Sequence, residues 1–535
     1  MTEKKKVSWT DTTRKMISGG GGELPELRSG CLFGPILSTI LGLGLFTILM
    51  SLLKDKDSDR GGGNVDIDPD PIYSYDPTDP TEGGRYPNPN DPGRPVVVLP
   101  PGEGGGSIYP ILPGQVITDP ADSMRQVVSD RLNILLEKKN ENTGRDFQLA
   151  FKTLYPGSEY KFIYFDTLTY RMQMVVPEEK RNELKNSLNA QMPKFDFLLF
   201  DEEVFTMSDN SHGAGLVNRR KTWYLNAINA PQAWKVTQGD PDILVAVVDN
   251  GFDLNHPELR GKVVDAFNIP ERNTHMFPPP GSDSPEHGTH VAATAVGWAD
   301  ENNGVSGVAP KCRLMPVQVA TADGMMLSTS VIDGVLYAIY KGAKVVNVSL
   351  GPTPPEWFMQ LPAAMQQQYI MKDDQRLTQV WKRVYSIADK HHCTVVMAAG
   401  NENVLSGYAS KARCDTVIVV SAVGETLRKS SFSNYGNFAG WFTNYSTVSA
   451  PGENIYNAVP GGKYRAMDGT SMASPIVAGA VALIKSVNPD ISTMDIRELL
   501  IRSGRKLNEP VGPLIQIDRA LQMAKSGVVQ PSINK

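Results

Sequence analysis

Five apolar runs in the C-terminal half constrain the fold more than any other feature. They are ILVAVVD (243–249), LMPVQVA (314–320), VVNVSLG (345–351), TVVMAAG (394–400) and TVIVVSAVG (416–424). None alternates polar with apolar as a half-exposed strand does, and helical stretches separate them. Continuous apolar strands with intervening helices specify a parallel sheet covered on both faces. Residues 223–535 are therefore expected to be α/β with a mainly parallel sheet. Such sheets bind ligands outside the carboxyl ends of their strands. Asp249, the Ser349-Leu350-Gly351 segment and Asn401 all fall at such ends.

The remaining 222 residues cannot belong to that core, and several domains are expected for a 535-residue chain. Residues 31–53, CLFGPILSTILGLGLFTILMSLL, carry no charge over 23 positions, enough for a helix to cross a bilayer. Lys4, Lys5, Lys6, Arg14, Lys15 and Arg28 precede it, whereas the following KDKDSDR balances its charges. The positive-inside rule then predicts a single-pass membrane protein, with residues 1–30 cytoplasmic and everything after residue 53 extracytoplasmic. Residues 54–114 are dense in Pro, Gly, Asp and Asn and read as a disordered spacer. The net charge of −5, with no run of five like charges, gives no reason to expect a nucleic-acid partner.

Residues 115–210 read as a small α+β domain. VITD (116–119) is a weak first strand, and Ser123 opens a helical stretch through Val127, Leu132, Leu135 and Leu136. FQLAFKTLY (147–155) and YKFIYF…YRMQMVV (160–176) look like strands. Pro177 starts a helix, and FDFLLF (195–200) closes the order βαββαβ.

The chemistry lies in four short segments of the C-terminal half. Ser471, in DGTSMASPIVAGAVALI (468–484), begins a helix rich in small residues, so its N–H and the helix dipole face developing negative charge. His287, in EHGTHVAATAVG (286–297), also opens a small-residue helix. Asp249 ends a buried strand, where a carboxylate can orient an imidazole. Asn401, in MAAGNE, carries an amide able to donate to an oxyanion. A hydroxyl, a base, a carboxylate and an oxyanion donor are the parts that acyl transfer through serine requires.

These four segments resemble the signature segments of the subtilisin (subtilase) family, with HGTHVA and GTSMASP the most specific. The resemblance covers roughly 223–525 and implies a three-layer α/β fold and a serine endopeptidase. It implies that Asp249 orients, His287 serves as general base then acid, and Ser471 is the nucleophile. It also implies that Asn401 and the Ser471 N–H form the oxyanion hole. Ser349, Leu350 and Gly351 would pair with extended substrate, and Ala398, Ala399 and Gly400 would line the pocket for the side chain before the scissile bond. Protein or peptide substrates follow, and no cofactor is implied.

Where relatives bind calcium tightly, the loop NNGVSGVAP (302–310) is about two residues short, so that site is not carried over. Asn250 stands where the family has Ser or Thr. An insertion, PTPPEWFMQLPAAMQQQYIMKDDQRLTQ (352–379), either covers the cleft or packs as a surface excursion. By position and element order, 115–210 resembles the family's propeptide, an inhibitor in cis. His391-His392-Cys393 lacks the second ligand pair that a metal site needs. Cys393 and Cys414 each precede a strand, and in neighbouring strands they would lie within disulfide reach. Two other functional readings share this fold, a catalytically silent binding protein and a processing protease for one partner.

Overall fold

The computed structural model describes residues 111–526, apart from 112–113, 121, 167–169, 206–221, 277–285, 299–304, 322–323, 374 and 437–444, together with short strands at 87–88 and 91–95. The expected membrane helix (31–53), most of the spacer and the N-terminal segment lie outside the described residues. Among those described, the one helix long and apolar enough to span a bilayer is Thr470–Val487, and 89% of it is buried in the protein core.

The five apolar runs form strands of one seven-stranded sheet. Its spatial order is Val448–Pro451, Ile418–Val423, Thr394–Ala398, Val345–Val348, Leu244–Asp249, Arg313–Gln318, Phe267–Asn268, and every pairing is parallel. Alternate residues feed separate cores. Val245 and Val247 pack with Val291, Ala292, Ile476 and Ala480, from the helices Glu286–Val296 and Thr470–Val487. Ala246 and Val248 pack with Val335, Trp381 and Tyr385, from the helices Ser328–Tyr340 and Arg376–Lys390 on the opposite face. The domain is thus a three-layer α/β sandwich, and two-sided burial explains why the strands read as unbroken apolar runs.

Residues 116–205 form an antiparallel sheet with two helices on one face. The strand Asp122–Leu136 lies between Phe197–Phe205 and Arg171–Val175, and Lys161–Asp166 pairs with the latter. Two element assignments are corrected here. Residues 123–136, expected as a helix, form the long strand Asp122–Leu136. Residues 147–155, expected as a strand, lie in the helix Thr143–Leu154 but for its last residue.

Both misreadings have a physical origin. The strand is buried on both faces, so its apolar residues show no period of two. In the helix, Phe147 and Phe151 are buried, while Leu149 and Leu154 are 41% and 46% exposed. From Asp122 onward the order is still βαββαβ, with Val116–Asp119 an added edge strand.

The second face of this sheet rests on the larger domain. Leu135 and Phe200 enter the same core as Trp381 and Tyr385, and Phe205 and Val204 pair antiparallel with Met326 and Leu327. At the N-terminus of the helix Ser328–Tyr340, Glu202 accepts the Thr329 N–H at 3.2 Å and its hydroxyl at 2.8 Å. A carboxylate there satisfies orphan donors and complements the helix dipole. Arg171 Nε donates to Asp333 Oδ1 of the same helix at 2.8 Å.

The 352–379 insertion is a packed excursion. Phe358 and Ile370 pack with Met124, Leu405 and Tyr408, and Asp373 pairs with Arg125 and Arg413. Cys393 and Cys414, which neighbouring strands would bring within disulfide reach, are both buried free thiols. The register Val396–Ile418 sets Cys393 beside Asp415, so Cys414 is one position out of step. Burial pushes both thiols up to about 12.

Arg171→Ala leaves the buried Asp333 carboxylate without its guanidinium. Removing one partner of a buried pair costs about 3–5 kcal/mol, and chemical denaturation of the variant against the parent protein measures it.

Candidate active site

Asp249 is the last residue of its strand and is fully buried. Its Oδ1 accepts the Asn250 N–H at 2.8 Å and lies 2.7 Å from His287 Nδ1. An acceptor on Nδ1 places the imidazole proton there, which leaves Nε2 to receive one. His287 sits in the first turn of Glu286–Val296. The Asn250 side chain holds that turn in place, because its Oδ1 accepts the Gly288 N–H at 3.1 Å. Asn250 therefore contributes both its side chain and its backbone N–H to the site. Gly288 is required by proximity, since a Cβ there would lie 2.3 Å from the Gly251 carbonyl oxygen.

His290, one turn on, is a structural histidine. Its Nε2 lies 2.8 Å from the Ile455 carbonyl. Burial pushes its pKa down to about 3, so it is neutral and donates.

Ser471 is the second residue of the helix Thr470–Val487 and keeps 8% of its surface open at the cleft. Its hydroxyl donates to the Ser349 carbonyl at 3.0 Å, and the Ser349 hydroxyl donates back to the Ser471 carbonyl at 3.0 Å. Behind them, Asn347 Nδ2 donates to Ser349 Oγ at 2.9 Å and Ser474 Oγ donates to Asn347 Oδ1 at 2.6 Å. This buried chain locks the nucleophile's helix to the strand end. The sequence reading missed Asn347 and Ser474. For Asn347 the signal is a polar residue inside an otherwise apolar run, VVNVSLG.

The Asn401 amide is oriented through its oxygen, which accepts the Thr470 N–H at 2.8 Å and the Thr470 hydroxyl at 2.9 Å. Its Nδ2 therefore turns towards Gly469, where a Cβ would lie 3.5 Å away. The preceding Gly400 has φ +105°, a conformation suited to glycine.

Ser349, Leu350, Gly351, Ala398, Ala399, Gly400, Asn401 and Ser471 line one cleft. Asp249 and His287 adjoin it, because the register Val248–Val348 puts Asp249 and Ser349 at the ends of neighbouring strands. All ten residues singled out in the sequence thus come to one edge of the sheet. Among the described residues, no group of three or more His, Cys, Asp or Glu side chains is placed to hold a metal ion. Residues 302–304 of the shortened loop lie outside the described residues.

The Subtilase family profile matches residues 240–516, just over half of the chain. The chain belongs to the Subtilase family. Thermitase of Thermoactinomyces vulgaris is 34% identical over 260 residues, which cover 48% of this chain and 80% of thermitase. Subtilisin BL of Lederbergia lenta is 32% identical over 285 residues, 53% of this chain and 91% of that protein. Thermophilic serine proteinase of Bacillus sp. strain AK1 is 32% identical over 276 residues, 52% of this chain and 60% of that protein. As a subtilase, the chain is a serine-type hydrolase. In all three relatives the similarity spans about half of this chain, leaving the rest of it unmatched.

Gly288→Ala forces its helix off the Gly251 carbonyl and so moves His287 relative to Asp249. A displacement near 1 Å costs about 10²-fold in rate, read as kcat/KM on a peptide substrate. Asn250→Ala, which orphans a buried N–H, should lower stability by about 1–3 kcal/mol.

Proposed function

We propose that this subtilase is a membrane-tethered serine endopeptidase working through Asp249, His287 and Ser471. The observation that carries this reading is the 2.7 Å His287–Asp249 contact, at the sheet edge where Ser471 and Asn401 line one cleft. A peptide lies extended along Ser349–Gly351. Its backbone N–H takes the Ser349 carbonyl, the acceptor that holds the Ser471 hydroxyl in this structure. The hydroxyl turns to His287 Nε2 and gives up its proton as Oγ attacks the carbonyl carbon.

Asn401 Nδ2 and the Ser471 N–H hold the oxyanion, and Asp249 stabilises the imidazolium. The C–N bond breaks as His287 protonates the leaving amine. Water, deprotonated by His287, then hydrolyses the acyl-enzyme. No metal or cofactor takes part in these steps.

Residues 31–53 would anchor the enzyme, with residues 1–30 cytoplasmic and the catalytic domain outside. The module at 116–205 would act as an inhibitor in cis. Supporting this, it buries Glu202 and Arg171 against the helix Ser328–Tyr340 and donates an edge strand to Met326–Leu327. Cleavage within 208–222, SDNSHGAGLVNRRKT, would relieve inhibition and release the enzyme from the membrane together.

A fluorophosphonate probe should label Ser471 and fail on Ser471→Ala, and a Ser471→Ala enzyme with near-normal peptidase activity would refute the assignment. Asn401→Ala should lower kcat by about 10²–10³ with KM little changed, the range known for the same donor in the related subtilisin. For the tether, membranes carrying the wild type should release a C-terminal fragment beginning within 208–222, and those carrying Ser471→Ala should not. A wild type that stays full-length, membrane-bound and fully active counts against release.

A further inference from the structure

The cleft that ends at Ser471 contains a buried amine that the reaction does not use. Lys411 lines it together with Leu350, Gly351 and Ala398–Asn401, and is 2% exposed. Its Nζ donates to the Leu350 carbonyl. A Cβ on Gly351 would lie 3.1 Å from its Cε and 3.4 Å from its Nζ, so the amine lies directly against the wall on which substrate would pair. An ammonium has three donors, and among the described residues Leu350 O is the acceptor that Nζ meets.

The main chain of this segment is fixed as well. The Tyr385 hydroxyl donates to the Lys411 carbonyl at 2.8 Å, and Arg413 pairs with Asp373. The amine is therefore held in place, and the walls around it are short: Gly351, Ala398, Ala399 and Gly400.

Desolvation pushes the pKa of Lys411 down to about 7, and the nearby Glu402 carboxylate acts the other way. A buried ammonium with one carbonyl acceptor is stabilised strongly by any carboxylate that reaches it. Glu402 lines the same cleft, but its Oε2 is already engaged. It accepts the Asn401 N–H at 2.9 Å and Asn434 Nδ2 at 2.9 Å. The acidic group at the rim is thus occupied, while the basic group in the wall has donors to spare.

We propose that Lys411 makes this subtilase prefer substrates with an acidic side chain, Glu or Asp, immediately N-terminal to the scissile bond. The proposal rests on the catalytic reading above, which makes this cleft the pocket for that side chain. Lys411 would act by binding the substrate carboxylate and would take no part in bond making or breaking.

The test is kcat/KM of the full-length protein in detergent on one peptide series that varies only this residue: Glu, Asp, Gln, Leu, Phe and Lys. A charge-assisted hydrogen bond in a buried site predicts that Glu or Asp exceeds Gln and Leu by about tenfold to a hundredfold. In Lys411→Met, similar in length but uncharged, the Glu-to-Leu ratio should fall towards unity. Equal rates for Glu and Leu in the wild type would overturn the inference while leaving the enzyme a peptidase. A preference for Lys would overturn it in favour of Glu402. Hydrolysis of no peptide, with no probe labelling at Ser471, would refute the catalytic reading itself and this inference with it. The wild-type series decides the question even if Lys411→Met fails to fold.

Discussion

The parallel register between Leu244–Asp249 and Val345–Val348 is the constraint on which the site depends. It brings the ends of two central strands level, so that Asp249 and Ser349 emerge side by side. Each strand end then recruits a helix. Asn250 accepts the Gly288 N–H and sets the His287 helix. Ser349 exchanges two hydrogen bonds with Ser471 and sets the Ser471 helix. A slip of one residue would send each side chain to the opposite face of the sheet. The two-sided apolar burial that fixes the register is therefore also what fixes the catalytic geometry.

Polar groups in such a core are tolerated only when fully bonded. Asn347 lies mid-strand and is fully buried, with both ends of its amide engaged by Ser349 and Ser474. That network fixes the start of the Ser471 helix by hydrogen-bond geometry, to a tolerance that apolar contact cannot supply. Thr470 does the same work on the other side, with its N–H and hydroxyl on Asn401 and its Oγ1 accepting from Gly400.

How much of this could be read from the sequence follows from which constraints are local. The five strands were legible because dry, two-sided burial writes itself as unbroken apolar runs. Asp249, His287, Asn401 and Ser471 were legible because a strand end or helix start is itself a sequence pattern. Residues 123–136 and 147–155 were misread because tertiary burial overrode the period. A strand covered on both faces loses alternation, and Phe147 and Phe151 carry the helix face amid exposed apolar neighbours. The sequence leaves open whether Cys393 and Cys414 pair, because that turns on a single residue of register, which spacing along the chain does not encode. Lys411 was invisible because GYASKARC has no periodicity. Only the folded cleft shows that this lysine points inward.

The charges between the smaller module and the larger domain divide into two kinds. Around Asp373, the Arg125–Asp373 pair crosses the boundary, but each residue also has a partner on its own side. Arg125 bonds Asp122 and Glu203 within its own module, and Asp373 is bonded by Arg413 within the other. Separating the two would leave each side with a partner for its charge. Arg171 and Asp333 form a second ion pair across the boundary, between two buried side chains. Glu202 likewise crosses to cap the Ser328–Tyr340 helix. The attachment therefore combines one helix terminus, two ion pairs and the pairing of Phe205 and Val204 with Met326 and Leu327. The Lys411 segment lies on the Asp373 side, flanked by Ser410, which accepts from Arg125 at 3.2 Å, and by Arg413. The pocket wall would keep its own salt bridge whether or not the smaller module stays bound.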